Sequence, residues 1–339
     1  MNIIIPMAGI GSRLKPHTLT VPKPLTLIAG KPIVQRLVEE IVTVVGQQVA
    51  NIGFIIGPAS KGFPADTEEK LIAIAAKLGA KAQVFVQEEP LGTAHAIYQA
   101  RTLLEGPCVV AFADTLFKAD FTLDDSNDGV IWVKKVANPE QFGVVKMQDG
   151  IITDFVEKPK EFVSDLAIIG IYYFKQAERI RAEIDYLIDH DIRGRGDEYQ
   201  LTDALENLKR KGAAFVPGTV TDWMDNGNKE VTVATNRKVL EYLSDSDEAL
   251  VAPDVVLNNS KIIPPCYIGT GVELINSTLG PYVSLGAGSR IENSTIKNSL
   301  IQKEVQITNA SLDNAMIGNK VVFNGKFTSV SLGDYSELK

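Results

Sequence analysis

Glycine, arginine and lysine follow the first apolar segment of the chain at short spacing. Gly9 and Gly11 come directly after IIIP in the stretch MAGIGSRLKPHTLTVPKPL, residues 7–25, which we call the glycine segment. Arg13 and Lys23 follow them. Glycines let backbone N–H groups approach an anion, a guanidinium offers a fixed fork of donors, and a lysine adds a point charge. The segment therefore predicts a local phosphate-binding site; the alternative is a tight turn with solvated cations.

The glycine spacing excludes two standard phosphate-binding motifs. The dinucleotide fingerprint G-x-G-x-x-G requires a third glycine, where this chain has Leu14. The Walker motif G-x-x-x-x-G-K-[ST] requires its second glycine at the same position and fails there too. If the glycine segment binds phosphate, it does so as a different kind of site.

Two aspartates lie at positions suited to ligand binding. Asp114 ends the apolar segment CVVAFAD, and Asp225 lies in WMDNG. Ligands of open α/β sheets bind at the carboxyl ends of the strands, so Asp114 is a candidate binding residue. Its alternative roles are a helix N-cap or a solvated loop acid.

The elements that position these residues alternate between strands and helices. The segments NIIIPM, IGFIIG, AQVFVQ and PCVVAFAD are short and rich in β-branched residues, which predicts buried strands. KPIVQRLVEEIVTVV and TEEKLIAIAAKLG repeat apolar residues at helical spacing, and a later DG pair between short apolar segments predicts a hairpin. We predict one Rossmann-like domain over residues 1–243, with a mixed, mostly parallel sheet covered by helices.

A different pattern follows the polar linker predicted at residues 244–250. Over residues 251–339, apolar residues recur at every fifth or sixth position. This period is typical of hexapeptide repeats, which form a triangular parallel β-helix, whereas a β-sandwich would show alternation over longer strands. The amides of Asn276, Asn293 and Asn309 fall one coil apart, so we expect them to stack. The apolar series is Ile268, Leu274, Leu279, Leu285, Ile291, Ile296, Ile301, Ile307, Leu312 and Ile317.

The amino-acid composition of the chain bears on its partners and its cellular compartment. The 339 residues carry 34 Lys and Arg against 42 Asp and Glu, a net charge of −8, which favours neither nucleic acid nor an anionic membrane. Cys108 and Cys266 are too few for a disulfide framework, so we expect reduced packing residues. We see no signal peptide or membrane span and expect a cytoplasmic protein.

The motifs together resemble the sugar-1-phosphate nucleotidyltransferases, which make nucleotide sugars from a nucleoside triphosphate and a sugar 1-phosphate. The glycine segment resembles the family's signature, QEEPLGTAHAI its base-binding segment, and VVAFADT a metal aspartate strand. FGVV and VEKP resemble the sugar phosphate segment, and WMDNGNKEVTVATN the second metal aspartate. The resemblance covers residues 1–243, and some family members continue into a left-handed β-helix.

The resemblance implies a set of site residues and Mg²⁺ as cofactor. The catalytic set is Arg13, Lys23, Asp114 and Lys158. The metal ligands are Asp114 and Asp225. The nucleotide-binding residues are Met7, Ala8, Gly9, Gly11, Ser12, Arg13, Gln87, Gly92 and Thr93. The sugar-phosphate residues are Gly143, Glu157, Lys158, Gly170 and Glu198. His95, one of three histidines, is interpreted as a packing residue.

One departure bears on the substrates. Many guanylyl and N-acetylglucosamine enzymes of the family carry Asn where this chain has Ile168, two positions before Gly170, whereas thymidylyltransferase-like members are apolar there. This favours glucose 1-phosphate with dTTP or UTP. The alternatives are a mannose-1-phosphate guanylyltransferase and a catalytically silent regulatory subunit that binds nucleotide sugar.

The predicted β-helix has no histidine, the residue that hexapeptide acyltransferases use as a base. We therefore expect no acetyltransferase activity there. An assembly role is expected instead, in a homo-oligomer, because solenoid flanks commonly associate.

Overall fold

The computed structural model describes residues 1–9, 11–119, 123, 126–325 and 330–338. The chain divides into two compact units. The first comprises Met1–Gly9 and Leu37–Trp223, and the second comprises Ile10–Arg36 and Met224–Lys339. Most of the glycine segment therefore belongs to the unit that contains the C-terminal region. The division into sequence domains at residues 244–250 stays a prediction.

The helices and strands follow the predicted patterns closely. The helices are α1 Ile33–Val45, α2 Thr67–Lys77, α3 Thr93–Gln99, α4 Ala177–Asp189, α5 Leu201–Arg210 and α6 Lys229–Ser244. The strands before residue 244 are β1 Asn2–Pro6, β2 Leu27–Ile28, β3 Lys31–Pro32, β4 Asn51–Ile56, β5 Lys81–Val86, β6 Cys108–Ala111, β7 Thr115–Lys118, β8 Gly129–Lys135, β9 Gly143–Gln148, β10 Ile151–Glu157, β11 Leu166–Phe174, β12 Phe215–Thr219 and β13 Asp222–Asp225.

The strands after residue 250 are short and regular. They are β14 Val256–Asn258, β15 Lys261–Ile262, β16 Cys266–Ile268, β17 Glu273–Ile275, β18 Thr278–Leu279, β19 Val283–Leu285, β20 Arg290–Glu292, β21 Thr295–Lys297, β22 Ser299–Ile301, β23 Gln306–Thr308, β24 Ser311–Asp313, β25 Met316–Ile317, β26 Val322–Asn324, β27 Ser331–Leu332 and β28 Glu337–Leu338.

The first unit is built on a mixed sheet in the order β10-β9-β11-β6-β1-β4-β5, and β8 pairs with both β11 and β12. Strands β6, β1, β4 and β5 run parallel to one another, whereas β11 is antiparallel to β6. The predicted DG hairpin joins β9 to β10, with Asp149 and Gly150 both at positive φ. Helices α3, α4 and α5 share one buried apolar cluster with β6, β8 and β11, in which Cys108 is a free thiol. The predicted α/β architecture is confirmed.

The C-terminal strands of the second unit form three sheets in which every recorded pairing is parallel. Their orders are β14-β17-β20-β23-β26-β28, β15-β18-β21-β24 and β16-β19-β22-β25-β27, as the predicted left-handed β-helix requires. The apolar series of the sequence fills its interior, and Ile291 and Ile296 are fully buried.

An asparagine ladder runs along the β-helix, as expected. The Nδ2 group of Asn276 donates to Oδ1 of Asn293 at 3.2 Å, and that of Asn293 to Asn309 at 3.5 Å. Asn259 and Asn324 extend the ladder at its two ends. These asparagines except Asn324 have positive φ, a backbone region that asparagine tolerates better than most residues.

No described helix combines the length and the apolar character needed to cross a bilayer.

The interior of the β-helix makes a prediction about stability. Ile291→Ala removes a fully buried side chain from a coil that its neighbours cannot close, so the free energy of unfolding should fall by about 2–5 kcal/mol. Thr295→Ala, on an exposed position of the next strand, should change it by less than about 0.5 kcal/mol. Urea denaturation of the full chain measures both; equal losses would contradict the buried placement of Ile291.

Candidate active site

Three of the four parallel strands of the first unit end in predicted site segments. Strand β1 runs into Met7, Ala8 and Gly9, β5 into Gln87, and β6 into the loop that carries Asp114. Because β6, β1, β4 and β5 are parallel neighbours, their carboxyl ends meet at one edge of the sheet. Backbone hydrogen bonds tie these ends together: the amide of Met7 donates to Ile55 at 2.8 Å, and the amide of Ala113 to Pro6 at 3.2 Å.

Gly92 is the point of closest approach between the nucleotide segment and the loop before α5. It has φ +114, and a Cβ placed on it would lie 2.5 Å from the carbonyl oxygen and 2.7 Å from the amide nitrogen of Tyr199. The same Cβ would lie 2.9 Å from Cβ of Glu198, a predicted sugar contact. Only glycine fits this position, so Gly92 brings the predicted nucleotide and sugar segments into contact.

The hydroxyl of Thr93 makes structural hydrogen bonds that the sequence did not predict. Its Oγ1 accepts a 2.9 Å hydrogen bond from the amide of Leu201, the first residue of α5, and donates to Oε1 of Gln200 at 3.2 Å. Its own helix, α3, has no side-chain cap at Gly92. Thr93 therefore satisfies the N-terminus of a helix distant in sequence rather than the N-terminus of α3. A direct contact with nucleotide stays a prediction.

The predicted sugar-phosphate residues of the first unit converge on the β9–β10 hairpin. Gly143 pairs with Glu157 across the hairpin, and a Cβ on Gly143 would lie 2.9 Å from Oε2 of Glu157 and 3.4 Å from Cδ1 of Ile168. Thr202 donates to the same Oε2 at 3.3 Å. Lys158 follows at φ +41, with Nζ 3.6 Å from Oε1 of Glu157. The structure thus brings Gly143, Glu157, Ile168 and Lys158 together.

Gly170 lies on β11 and Glu198 in the loop before α5, both within the first unit. The carbonyl oxygen of Gly170 accepts from the amide of Phe112, two residues before Asp114, at 2.9 Å. Gly170 has φ +83, a region that favours glycine. The carboxylate of Glu198 accepts from Nε2 of Gln200 at 3.0 Å.

Tyr172 is a site residue that the sequence analysis missed. It is buried on β11, and burial together with the charges of Glu157 and Asp114 raises its pKa above the usual range. Tyr172 follows Gly170 by two residues, across an irregularity in the pairing of β11 with β8 that the sequence did not indicate.

The second unit gathers the cations of the glycine segment around Asp225. Lys23 is 5% exposed, and its Nζ lies 3.9 Å from Oδ1 of Asp225. A Cβ on Gly227 would lie 2.7 Å from Oδ2 of Asp225 and 3.4 Å from Nη2 of Arg13. Gly11 has φ +69, and a Cβ there would lie 2.8 Å from Cβ of Lys23. The glycines therefore allow Arg13 and Lys23 to approach one carboxylate, while Ser12, beside Arg13, is exposed.

The metal assignment stays a prediction. Asp114 belongs to the first unit and Asp225 to the second. Across the described residues, no group of three or more His, Cys, Asp and Glu side chains is arranged to hold a metal ion. An ion held by two carboxylates would take its remaining ligands from phosphate oxygens and water.

Residues 11–36 lie along the β-helix within the second unit. Gln302, next to β22, donates from Nε2 to the carbonyl oxygen of Leu27 at 3.1 Å. Gly30 has φ +83 and packs against the ring of Tyr267 on β16. Helix α6 joins the two parts, since Oδ1 of Asn236 accepts from Ser284 on β19 at 2.6 Å and from the amide of Ala29 at 3.3 Å.

His17 connects the glycine segment to the last coils of the β-helix. Its Nε2 lies 2.8 Å from Oγ of Ser331 on β27, and a Cβ on Gly333 would lie 2.7 Å from Cβ of Pro16. Burial, with the charge of Lys229, lowers the pKa of His17 to about 4, so the ring is neutral at physiological pH. Its Nδ1 has no hydrogen-bond partner among the described residues.

The first unit is a mixed α/β sheet whose strand ends carry glycine turns, acids and an amide, and the second unit contains clustered cations. These features are typical of the class of proteins that bind phosphorylated nucleotides. The profile of the family described as nucleotidyl transferase matches residues 2–241. The chain is 29% identical over 369 aligned positions to a glucose-1-phosphate thymidylyltransferase of Streptomyces antibioticus, with 100% of this chain and 99% of the relative covered.

A further relative and a solved structure agree with that match. The chain is 30% identical to a low-salt glycan biosynthesis nucleotidyltransferase of Haloferax volcanii, with 100% of both proteins covered. A UDP-glucose pyrophosphorylase complexed with UDP-glucose has a TM-score of 0.56 and 24% identity over 71% of this chain and 98% of that one, a likeness of fold alone. The chain belongs to the nucleotidyl transferase family, as a sugar-1-phosphate nucleotidyltransferase.

Gly92 generates the first prediction of the site. In Gly92→Ala the new methyl group collides with the backbone of Tyr199, so the free energy of unfolding should fall by about 2–4 kcal/mol. Gly79→Ala is the control. Gly79 also has positive φ, but the space around its Cβ position is open, so this substitution introduces backbone strain without a collision. Similar losses in both variants, measured by urea denaturation, would show that backbone strain alone decides the cost.

The contact between Ser331 and His17 gives the second prediction of the site. Ser331→Ala leaves the buried Nε2 of His17 without its partner, which should cost about 1–3 kcal/mol of unfolding free energy. Ser311→Ala, on an exposed strand position of another face, is the matched control and should cost less than about 0.5 kcal/mol. Equal values in the two variants would contradict the contact between His17 and the β-helix.

Proposed function

We propose that this nucleotidyltransferase transfers a nucleoside monophosphate from dTTP or UTP to glucose 1-phosphate, releasing pyrophosphate. The observation that carries the choice of sugar is the apolar contact of Ile168 with the β9–β10 hairpin, 3.4 Å from a Cβ placed on Gly143. The full-length relative from Streptomyces antibioticus is named for the same pair of substrate types.

Ile168 supports a sugar without an acetamido group. It lies beside Gly143 and Glu157, the residues proposed to contact the sugar hydroxyls. An aliphatic side chain offers no hydrogen bond, so an N-acetyl amide bound there would lose its water without gaining a partner. Glu157 can accept hydrogen bonds from hydroxyls, which favours an unsubstituted hexose.

The cations of the second unit suit a triphosphate. Arg13 and Lys23 lie close to Asp225, and the glycines beside them leave backbone N–H groups accessible. A buried lysine held near a carboxylate keeps its charge in a fixed place, which stabilises phosphate oxygens without reorganisation during the reaction. We propose that these residues bind the triphosphate together with Met7, Ala8, Gly9 and Ser12.

Lys158 suits the phosphate of the sugar. Its backbone is fixed, since φ is +41 and its amide donates to Phe142 at 3.0 Å. Its side chain is 49% exposed, which leaves the ammonium group accessible to an anion while Glu157 orients it. We propose that Lys158 brings the sugar phosphate towards the α-phosphorus and reduces the repulsion between the two anions.

We propose Mg²⁺ as the metal, with Asp114 and Asp225 as its protein ligands. Carboxylate oxygens are the ligands that this hard cation prefers, and Asp114 is exposed at the strand edge where ligands of such sheets bind. When bound, the ion would supply positive charge to the phosphate oxygens and the leaving pyrophosphate.

The reaction needs no catalytic base. An oxygen of the sugar phosphate, already anionic, forms a bond to the α-phosphorus while the bond from that phosphorus to the bridging oxygen of pyrophosphate breaks. The electron pair of the broken bond stays with pyrophosphate. The protein must therefore place the two phosphates in line and neutralise charge, roles that we propose for Arg13, Lys23 and Lys158.

A pyrophosphate-release panel tests the substrates. ATP, CTP, GTP, UTP and dTTP are each combined with glucose, mannose, galactose and N-acetylglucosamine 1-phosphates. We expect the highest kcat/KM with glucose 1-phosphate and dTTP or UTP. A preference for GTP with mannose 1-phosphate would replace this proposal with a guanylyltransferase.

Lys158→Ala should lower kcat/KM by about a hundredfold, because it removes a charge at the reacting phosphate. Lys160→Ala is the matched control, an exposed lysine of the same loop, and should stay within about twofold of the wild type. Steady-state kinetics with an unchanged value for Lys158→Ala would remove this residue from the mechanism.

We also propose a cytoplasmic homo-oligomer. Solenoid flanks commonly form symmetric contacts, which supports an oligomer. Light scattering of the full chain tests the assembly. Removal of the β-helix is a poor test, because it would also uncover the buried contacts of residues 11–36.

A further inference from the structure

Helix α4 ends in a turn at which glycine is the usual residue. The amide of Ile192 donates to the carbonyl oxygen of Leu187 at 2.8 Å, and the amide of Asp191 donates to that of Ile188 at 3.2 Å, which together form a Schellman motif. Asp191 has φ +50, in the left-handed region that this motif requires. Because glycine adopts this conformation without a steric penalty, an aspartate here indicates a use for its side chain.

The carboxylate of Asp191 holds two side chains of the loop that follows. Its Oδ1 accepts from the hydroxyl of Tyr199 at 2.5 Å and from Nε of Arg193 at 2.8 Å. The guanidinium of Arg193 also lies over the ring of Tyr199, 4.9 Å from its centre. The hydrogen bonds from Tyr199 and Arg193 lower the pKa of Asp191, so its carboxylate stays charged at neutral pH. We call these three residues the Asp191 clamp.

The Asp191 clamp closes the loop of residues 191–199, which contains no helix or strand. Inside this loop the amide of Gly194 donates to the carbonyl oxygen of Glu198 at 2.9 Å. Arg193 directly precedes Gly194, so a fixed Arg193 restricts where this amide lies. The clamp therefore restrains the backbone of Glu198 from both directions, through Gly194 before it and through Tyr199 after it.

The same loop packs against the start of α5. A Cβ placed on Gly194 would collide with Oδ2 of Asp203, in the first turn of α5, so only glycine fits there. Burial, and then the charge of Glu157, raises the pKa of Asp203. Thr202, beside Asp203, donates to Glu157 at 3.3 Å. The loop that contains Glu198 therefore lies against the part of α5 that also contacts the sugar-phosphate group.

The nucleotide segment is held by contacts that do not involve the Asp191 clamp. The backbone amide of Tyr199 donates to Leu91 at 2.9 Å, and its carbonyl oxygen accepts from the amide of Ala94 at 2.9 Å. Thr93 accepts from the amide of Leu201 at 2.9 Å. None of these bonds uses the hydroxyl of Tyr199. Loss of the clamp would therefore loosen residues 192–198 and leave the nucleotide segment attached.

We propose that Asp191 is a positioning residue for the sugar phosphate, because through Arg193 and Tyr199 it holds the loop that presents Glu198 to the sugar hydroxyls. The inference rests on the proposed role of Glu198 as a sugar contact. A loop that is ordered before the substrate binds does not have to lose its conformational freedom in the complex. Loss of the clamp therefore weakens binding of the sugar phosphate more than binding of the nucleoside triphosphate.

Asp191→Gly separates this role from a structural one. The substitution removes the carboxylate and the backbone strain together, so the midpoint of urea denaturation should not fall. We expect KM for glucose 1-phosphate to rise about tenfold and KM for dTTP to stay within about twofold. Asp149→Gly is the matched control, because Asp149 has φ +52 and an exposed side chain without a hydrogen-bond or ion-pair partner among the described residues. Both of its KM values should stay within about twofold of the wild type.

Two further variants test the hydrogen bond itself. Asp191→Asn keeps an oxygen acceptor and tolerates positive φ, so KM for glucose 1-phosphate should stay within about threefold of the wild type. Tyr199→Phe removes only the hydroxyl, and adding it to Asp191→Gly should raise KM by less than about twofold more, because both changes break the same bond. An unchanged KM for glucose 1-phosphate in Asp191→Gly, or an equal rise in both KM values, would overturn the proposal.

The clamp is also measured without any substrate. Hydrogen exchange of the full-length protein, read by mass spectrometry, should be about fivefold or more faster over residues 192–199 in Asp191→Gly than in the wild type. Unchanged exchange would overturn the clamp. If the substrate panel identifies another sugar phosphate, the proposed substrate fails on its own, and the same KM comparison with that sugar phosphate still decides the role of Asp191.

Discussion

Parallel pairing of β6, β1, β4 and β5 is the constraint on which the first unit depends. It sends the carboxyl ends of these strands to one edge, where Asp114, the residues after β1, and Gln87 follow directly. Strands β1, β4 and β6 are buried and apolar, so their register is set by packing rather than by the polar residues that follow. Strand β5, at the edge of the sheet, is partly exposed, although its sequence predicted a buried strand. The chemistry can therefore lie on short turns whose positions the sheet has already determined.

The second unit holds the cations Arg13 and Lys23 in fixed positions. Arg13 and Lys23 lie on irregular backbone with only short 3₁₀ turns at Ser12–Leu14 and Lys23–Leu25, which would not be stable alone. Residues 11–36 instead rest on α6 and on the β-helix through Asn236, Gln302 and Ser331. The rigid solenoid thus supports the loop that carries charge.

Local patterns predicted the elements and the β-helix, because strand and helix periods and the repeat of apolar residues are properties of short windows. They did not predict contacts between residues that are distant in the sequence. The hydroxyl of Thr93 accepts from the amide of Leu201 in α5, a contact that no local pattern indicates. His95 was interpreted as packing, and only the folded chain brings two glutamines to its ring.

The contacts between residues 11–36, α6 and the solenoid fall on different coils of one sheet. Ser284 lies on β19, Gln302 next to β22, and Ser331 on β27, and their partners are Asn236, Leu27 and His17. Adjacent coils are about 4.8 Å apart, longer than any of these hydrogen bonds can stretch. Insertion or loss of a single repeat between them would misalign every later contact. The number of coils between these contacts must therefore match the spacing of their partners on α6 and in residues 11–36.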